Sequence, residues 1–263
     1  MRRGYTKGLR YTIDLSKIAD RANPRTVEVL GSSLQEPTII DWGDGTVETY
    51  NTMTTEPTHT YAAAGVYTVT IRSATGHLPV VRFSPSSASA VNDRAIVKAV
   101  TSIDHFAGWM GTASTAQARL WCYYCSNLRH VDTRLPGLAK WTTLDRFFSF
   151  CQTLEQDIQS FCFDFCDASE GDTFSSLFNS CSRLYGTIPA GMFDNNRNTI
   201  RFNNAFYACT MLTGKAYVFW KADGSLDTDK FPNLIGGGGA YYNCFGLNLA
   251  EIPTAYGGTM TVS

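Results

Sequence analysis

Five cysteines at matching positions, each with a leucine three residues later, constrain this 263-residue chain more than any other feature. They stand in Trp121-Cys-Tyr-Tyr-Cys125-Ser-Asn-Leu128, Phe147-Phe-Ser-Phe-Cys151-Gln-Thr-Leu154, Leu177-Phe-Asn-Ser-Cys181-Ser-Arg-Leu184, Ala205-Phe-Tyr-Ala-Cys209-Thr-Met-Leu212 and Ala240-Tyr-Tyr-Asn-Cys244-Phe-Gly-Leu247. Consecutive cysteines are 26, 30, 28 and 35 residues apart. A drifting period of this size marks stacked supersecondary units, each too small to bury an apolar face alone. The C-terminal half therefore reads as a solenoid, and a solenoid offers an extended surface before it offers a catalytic pocket.

Within the copies, apolar residues stand seven, four and three positions before the cysteine: Leu144, Phe147 and Phe148; Phe174, Leu177 and Phe178; Phe202, Ala205 and Phe206. That spacing predicts a two-turn helix with one buried face. A short extended piece follows each leucine, as in Leu128-Arg-His-Val131 and Leu184-Tyr-Gly-Thr-Ile188. Equivalent places in neighbouring coils do not by themselves bring two sulfurs into disulfide geometry. Cys125, Cys151, Cys181, Cys209 and Cys244 are therefore expected as free, buried thiols, each a small apolar residue whose weak donor faces the adjacent coil. The copies are degenerate: the first carries Cys122 where others have Phe or Tyr, and the fifth has Gly237 seven residues before its cysteine. Cys162 and Cys166 lie outside the repeat, four residues apart, and either pair or share a helix face.

The N-terminal segment has the other period. Tyr11, Ile13 and Leu15 alternate, then Thr26 to Leu30 and Thr38 to Asp41, as in half-buried strands. Asp41-Trp42-Gly43-Asp44-Gly45-Thr46 supplies a tight turn, and Gly65 opens an alternating strand from Val66 to Ile71. Short strands separated by turn signals predict a small β-sandwich. The string Asp-Trp-Gly-Asp-Gly-Thr, followed after a spacer by His59-Thr-Tyr61-x-x-x-Gly65-x-Tyr67-Thr-Val, resembles the polycystic-kidney-disease (PKD) type immunoglobulin-like domain over roughly residues 9 to 73. The residues themselves suggest roles. Trp42 is a core side chain, Gly43 and Gly45 free the turn, Asp41 and Asp44 bond its amides, and Tyr61 and Tyr67 anchor the facing strand.

The expected organisation is mainly β with short helices: a PKD-type β-sandwich at 1–75, a Pro- and Ser-rich joint at 76–98, and a degenerate leucine-rich-repeat solenoid at 99–263. The pattern Phe-x-x-Cys-x-x-Leu is similar to the BspA-like leucine-rich repeats of bacterial surface proteins, with Ser102 to Phe106 and Ile188 to Asp194 as connecting pieces. A PKD-type domain ahead of such repeats is a layout that this resemblance implies. Gly236 to Gly239 and Tyr256 to Ser263 are expected to cap the open end.

Chemistry-bearing motifs are sparse. His59, His77, His105 and His130 are scattered, and Cys122-x-x-Cys125 lacks the second pair that a zinc site needs. Asp223, Asp227 and Asp229 fall in the wrong order for a calcium loop. No cofactor or metal is expected. There is no nucleophile elbow and no phosphate loop. The carboxylates Asp164, Asp167, Glu170 and Asp172 read as a solvated insertion, with a carbohydrate-active pair as the alternative. A net charge of -1 and no basic run argue against nucleic acid, and no apolar run reaches a membrane-spanning length.

The remaining clue is aromatic. Tyr123, Tyr124, Tyr207, Tyr241 and Tyr242 fall in the turns before the cysteines and form a candidate ligand face, unless they thicken the core. Charged residues make up only 17%, which suits exposed extracellular or virion surfaces. No apolar stretch of signal-peptide length follows Met1, so the expected setting is a virion. The expected function is a non-enzymatic structural and adhesive component: a capsid decoration, head fibre or tail-associated part. It would contact other virion proteins and a host glycan or protein, with self-association left open. A bacterial cell-surface adhesin is the alternative setting.

Overall fold

A computed structural model describes residues 8–32, 37–51, 56–73, 77–78, 80–85, 90, 93–107, 109–110, 119–133, 143–161, 163, 174–216, 218–221 and 223–258. The chain is mainly β with few short helices. The strands are β1 (Gly8–Asp14), β2 (Thr26–Glu28), β3 (Leu30–Ser32), β4 (Thr38–Asp41), β5 (Val47–Tyr50), β6 (Thr58–Thr60), β7 (Val66–Ser73), β8 (His77–Leu78), β9 (Val80–Arg82), β10 (Val100–Ala107), β11 (Trp109–Met110), β12 (His130–Val131), β13 (Tyr185–Thr187) and β14 (Met211–Thr213). One five-residue α-helix, Ala95–Ala99, precedes β10.

The largest sheet has the order β12-β10-β1-β7-β4-β5. Its pairings are antiparallel except β10 with β12. Alternation drives it: Leu9, Tyr11 and Ile13 of β1, Ile40 of β4, and Val69 and Ile71 of β7 turn into the core. The small antiparallel pairs β2/β6 and β3/β9 add Val27, Leu30 and Val81 to the same buried cluster.

This sheet reaches across the expected boundary between the sandwich and the repeats. β10, placed by the sequence in the first repeat, pairs with β1 from Gly8↔Ala107 to Ile13↔Val100. The supposed joint is built in as well. β9 pairs with β3, and Phe83 behind it is fully buried. The Phe83 amide donates to the Trp121 carbonyl at 2.9 Å, and Trp121 Nε1 donates to the Val81 carbonyl at 2.8 Å. One continuous apolar cluster runs from Leu9 to Ile252, so the two halves share a core.

The segments before the cysteines differ from the helical expectation. They are runs of turns, with left-handed residues five and one positions before each cysteine: Leu120 and Tyr124, Arg146 and Phe150, Ser176 and Ser180, Asn204 and Ala208, Gly239 and Asn243. Alternate amides turn inward and outward. In the second copy Phe147, Ser149 and Cys151 donate to carbonyls three residues back at 3.2, 3.2 and 3.1 Å. Arg146, Phe148 and Phe150 donate instead to Ser175, Leu177 and Asn179 of the next copy at 2.8, 2.9 and 2.7 Å. An α-helix keeps its interior amides to itself and has none left for a neighbour. The stack needs half of them for its ladder. The apolar positions read from the sequence are nonetheless the buried ones, all at 0% exposure from Leu144 to Phe206. Rings three positions before the cysteines stack as Phe148, Phe178, Phe206 and Tyr241, with centroids 5.4, 5.9 and 5.7 Å apart.

The thiols stitch the same axis. Cys151, Cys181, Cys209 and Cys244 donate to the carbonyls of Cys122, Phe148, Phe178 and Phe206 in the preceding rung, at 3.0, 3.0, 3.0 and 2.8 Å. Each of those carbonyls also accepts the amide of its own rung's cysteine, using both lone pairs. Cys125 donates to the Phe83 carbonyl at 3.4 Å, which makes Phe83 the rung before the first. The leucine amide then donates to the cysteine carbonyl, at 2.9 to 3.3 Å, and turns the chain. The six described cysteines are free and buried; Cys162 and Cys166 lie outside the described residues. At the far end the Gly239 and Tyr241 amides reach the carbonyls of Ala255 and Tyr256, and Tyr256 stacks on Trp220 at 3.8 Å. Residues 254–256 thus close the last rung, while 259–263 lie outside the described residues.

After the leucines, a parallel ladder continues from β12, with one gap. Where a strand residue should face Val131, the buried Gln156 side chain does so instead. Its Oε1 accepts the Val131 amide and its Nε2 donates to the Val131 carbonyl, both at 3.0 Å. Gln156→Ala leaves both buried groups without this partner and is expected to lower the unfolding free energy by about 2 kcal/mol in urea titration. Exposed Gln152→Ala should stay within about 0.5 kcal/mol, and equal effects would remove this role.

Burial raises the thiols of Cys122, Cys151, Cys181 and Cys209, and lifts Cys244 to about 12. The unfolded thiol ionises near about 8.5, so the folded state holds the extra protons between these values. Stability is full below the unfolded value and is lost as pH rises toward 12. Alkylation at pH 8 should label none of the six described thiols until denaturant unfolds the chain. Rapid native labelling of Cys181 or Cys209 would contradict the stack.

Candidate functional site

The turn runs have an inside and an outside. Among the described residues, those seven, four, three and zero before the cysteine face the core, and those two and one before it lie at the surface. From the first rung to the last, that surface carries Tyr123-Tyr124, Ser149-Phe150, Asn179-Ser180, Tyr207-Ala208 and Tyr242-Asn243. Ser149 is the buried exception.

Tyr124 and Phe150 stack face to face at 4.4 Å with planes 17° apart, and Tyr123 meets Tyr124 edge-on at 4.7 Å. Burial, and then the neighbouring Tyr124, raise the Tyr123 phenol above its ordinary range. At the other end Tyr207 and Tyr242 stack at 6.2 Å, and Asn243 Nδ2 lies 3.5 Å from the Tyr207 hydroxyl. Tyr124 and Tyr242 are 40% and 47% exposed. Tyr241 is a correction: it is fully buried and belongs to the aromatic spine, because it sits three residues before its cysteine rather than two. Phe150 was missed by the sequence reading, although its place one residue before Cys151 matches Tyr124 before Cys125.

Among the described residues, charge on this surface is confined to its first rungs. Arg119 grips the buried Asp145 with Nε and Nη2 at 3.0 and 2.7 Å, and Arg146 is exposed beside them. Beyond them the outward positions include Ser176, Asn179, Ser180, Asn204, Tyr207 and Ala208, all uncharged.

The Asp41–Gly45 turn is a second cluster. Asp41 and Asp44 accept the amides of Gly43 and Thr46, each at 3.0 Å. Gly43 has φ +83°, and a Cβ there would lie 2.4 Å from the Thr68 carbonyl, so no other residue fits. Trp42 is buried, its Nε1 donating to Glu48 at 2.7 Å, and the Tyr61 hydroxyl donates to the Trp42 carbonyl at 2.9 Å. Tyr61 stacks on Tyr67 at 4.1 Å, whose hydroxyl bonds Ala63 across the Gly65 turn. His59, which opens the His-Thr-Tyr part of the motif, stacks on Trp42 at 5.0 Å and meets Asp44 at 2.8 Å. Partial burial raises the Asp44 carboxyl, and the His59 and Thr46 hydrogen bonds outweigh it, so the group sits below its ordinary value. These contacts hold the turn in place.

A groove of about 410 Å³ opens between Gln159, Thr187, Pro189 and Lys215. Its one charged lining residue, Lys215, lies 3.9 Å from Glu251. Among the described residues no group of three His, Cys, Asp or Glu side chains is placed to hold a metal ion, and no helix is long and apolar enough to cross a membrane. Asp164, Asp167, Glu170 and Asp172 lie outside the described residues. No family model, curated protein or solved structure matches the chain.

The left-handed positions are open to test. Ala→Gly ordinarily destabilises, yet Ala208 has φ +56°, where glycine pays no Cβ penalty. Ala208→Gly should hold or raise the unfolding free energy from urea titration, by up to about 1 kcal/mol, whereas Ala205→Gly at a buried position should lower it by about 1 kcal/mol. A loss at Ala208 matching that at Ala205 would refute the assigned geometry.

Proposed function

We propose that this chain is a non-enzymatic structural and adhesive protein of a virion surface, whose stacked rungs display a binding strip to a host glycan or protein. The observation that carries the proposal is the strip itself: stacked, partly exposed rings at both ends of an uncharged run, held on a hydrogen-bonded ladder. Rigid aromatic anchors with amide and hydroxyl neighbours bind at low entropic cost. The low charged fraction of 17% supports an exposed setting.

On this reading the N-terminal unit is a PKD-type immunoglobulin-like domain and the stack is a divergent BspA-like leucine-rich-repeat solenoid. The Asp-Trp-Gly-Asp-Gly contacts and the thiol register support it. The turn runs depart from the one-helix-per-repeat form. The sandwich acts as the mount, because its sheet continues into the first rung, and capsid or tail proteins are its proposed partners.

Immunogold labelling of producing cells and of the particles they release tests the proposal. Gold on the outside of intact particles is the expected result. Label confined to the cell interior, with bare particles, would sink it.

A further inference from the structure

We infer that the strip binds a neutral, linear polysaccharide laid along the stack axis, an inference that rests on the adhesive reading above. Three observations converge on this ligand class. The first is strain. Tyr124 and Phe150 hold φ values of +62° and +63°, a region that bulky side chains rarely occupy. The equivalent residues in the other rungs are Ser180, Ala208 and Asn243, which are small or tolerate the conformation. The ladder sets the left-handed backbone in every rung, Leu120 and Arg146 included, but does not ask for an aromatic ring at this position; rings placed where the other rungs carry small residues, with Tyr124 40% exposed, point to binding.

The second is spacing. The ring pairs occupy the first two and the last two rungs, with Asn179 and Ser180 between them. Hydrogen-bonded neighbours stand about 4.8 Å apart, which puts Phe150 and Tyr207 about 10 Å apart along the axis. The stacked rings at both ends present their edges and the tyrosine hydroxyls to pyranose units lying along the axis, while the central amides and hydroxyls meet the sugar hydroxyl groups. An extended chain that repeats along one direction matches a surface that does the same.

The third is charge. From the third rung onward the described residues of the strip include no ionised side chain, and the buried Asp145 nearer its start is paired with Arg119. Among the described residues of the strip, a sulfated or uronic-acid polymer finds Arg146 and the Asp145-paired Arg119 at one end to answer it, and a basic partner finds no carboxylate from the third rung onward.

The test is a glycan array followed by calorimetry, with neutral cello-, manno- and xylo-oligosaccharides of increasing length as probes, and heparin and alginate as anionic controls. At least one neutral series should bind, with affinity rising with chain length until the strip is spanned. Tyr124→Asn combined with Phe150→Asn suits the left-handed backbone and should fold, yet weaken binding at least tenfold. Tyr207→Ala should weaken it separately, and Tyr185→Ala, on the strand face, should leave it unchanged. Binding to anionic polymers alone, no dependence on length, or full affinity in the double variant would each overturn the inference. So would a wild-type protein that binds no neutral series. Gold-labelled particle surfaces together with a blank neutral array would sink the ligand class while leaving the adhesive proposal standing.

Discussion

The alternating backbone ladder is the interaction on which the rest of the structure depends. Every second amide of a turn run leaves its own segment and bonds the next rung, as Arg146, Phe148 and Phe150 do to Ser175, Leu177 and Asn179. That alternation requires left-handed residues at two places per rung. A non-glycine residue there costs about 1–2 kcal/mol, and each buried backbone hydrogen bond offsets about 0.5–1.5 kcal/mol of it. The ladder also fixes what faces in and what faces out. Rings three positions before the cysteines stack down the middle, and those one or two positions before them stack on the surface.

A stack of this kind has open ends, and this chain closes them differently. At the start, Phe83 supplies the carbonyl for the Cys125 thiol and the amide for the Trp121 carbonyl, while the strand before it pairs within the N-terminal unit. The sheet beside it passes from antiparallel pairing of β1 with β10 to parallel pairing of β10 with β12. At the end, a short turn carrying Ala255 and Tyr256 takes the last donors. The N-terminal unit therefore caps the stack, and the exposed strip belongs to a body braced at both ends.

Much of the register was legible in the sequence. The cysteine spacing located the rungs, and the apolar positions before each cysteine are the buried ones. The Asp41–Gly45 turn was readable because its side chains bond amides two residues on, a local event. The turn conformation was not legible. Apolar residues at minus 7, minus 4 and minus 3 satisfy a helix as well as a turn run, and inter-rung bonds to residues far along the chain, such as Arg146 to Ser175, decide between them. Gln156 was invisible for the same reason, since its partner Val131 is 25 residues away. Within the candidate strip, Tyr241 was misassigned by one position and Phe150 overlooked, because side-chain direction in a turn run follows the left-handed residues and not a fixed period.

The sequence by itself determined the repeat, its register, the residues that fill the core and the turn that holds Trp42. These are periodic or local properties, set by which side chains leave water and which backbone angles glycine permits. Tertiary structure decided that the rungs are turns, that β10 joins the N-terminal sheet, and that Tyr124, Phe150, Tyr207 and Tyr242 share one surface. Those outcomes rest on hydrogen bonds between residues far apart in the chain, whose geometry exists only once the rungs are stacked.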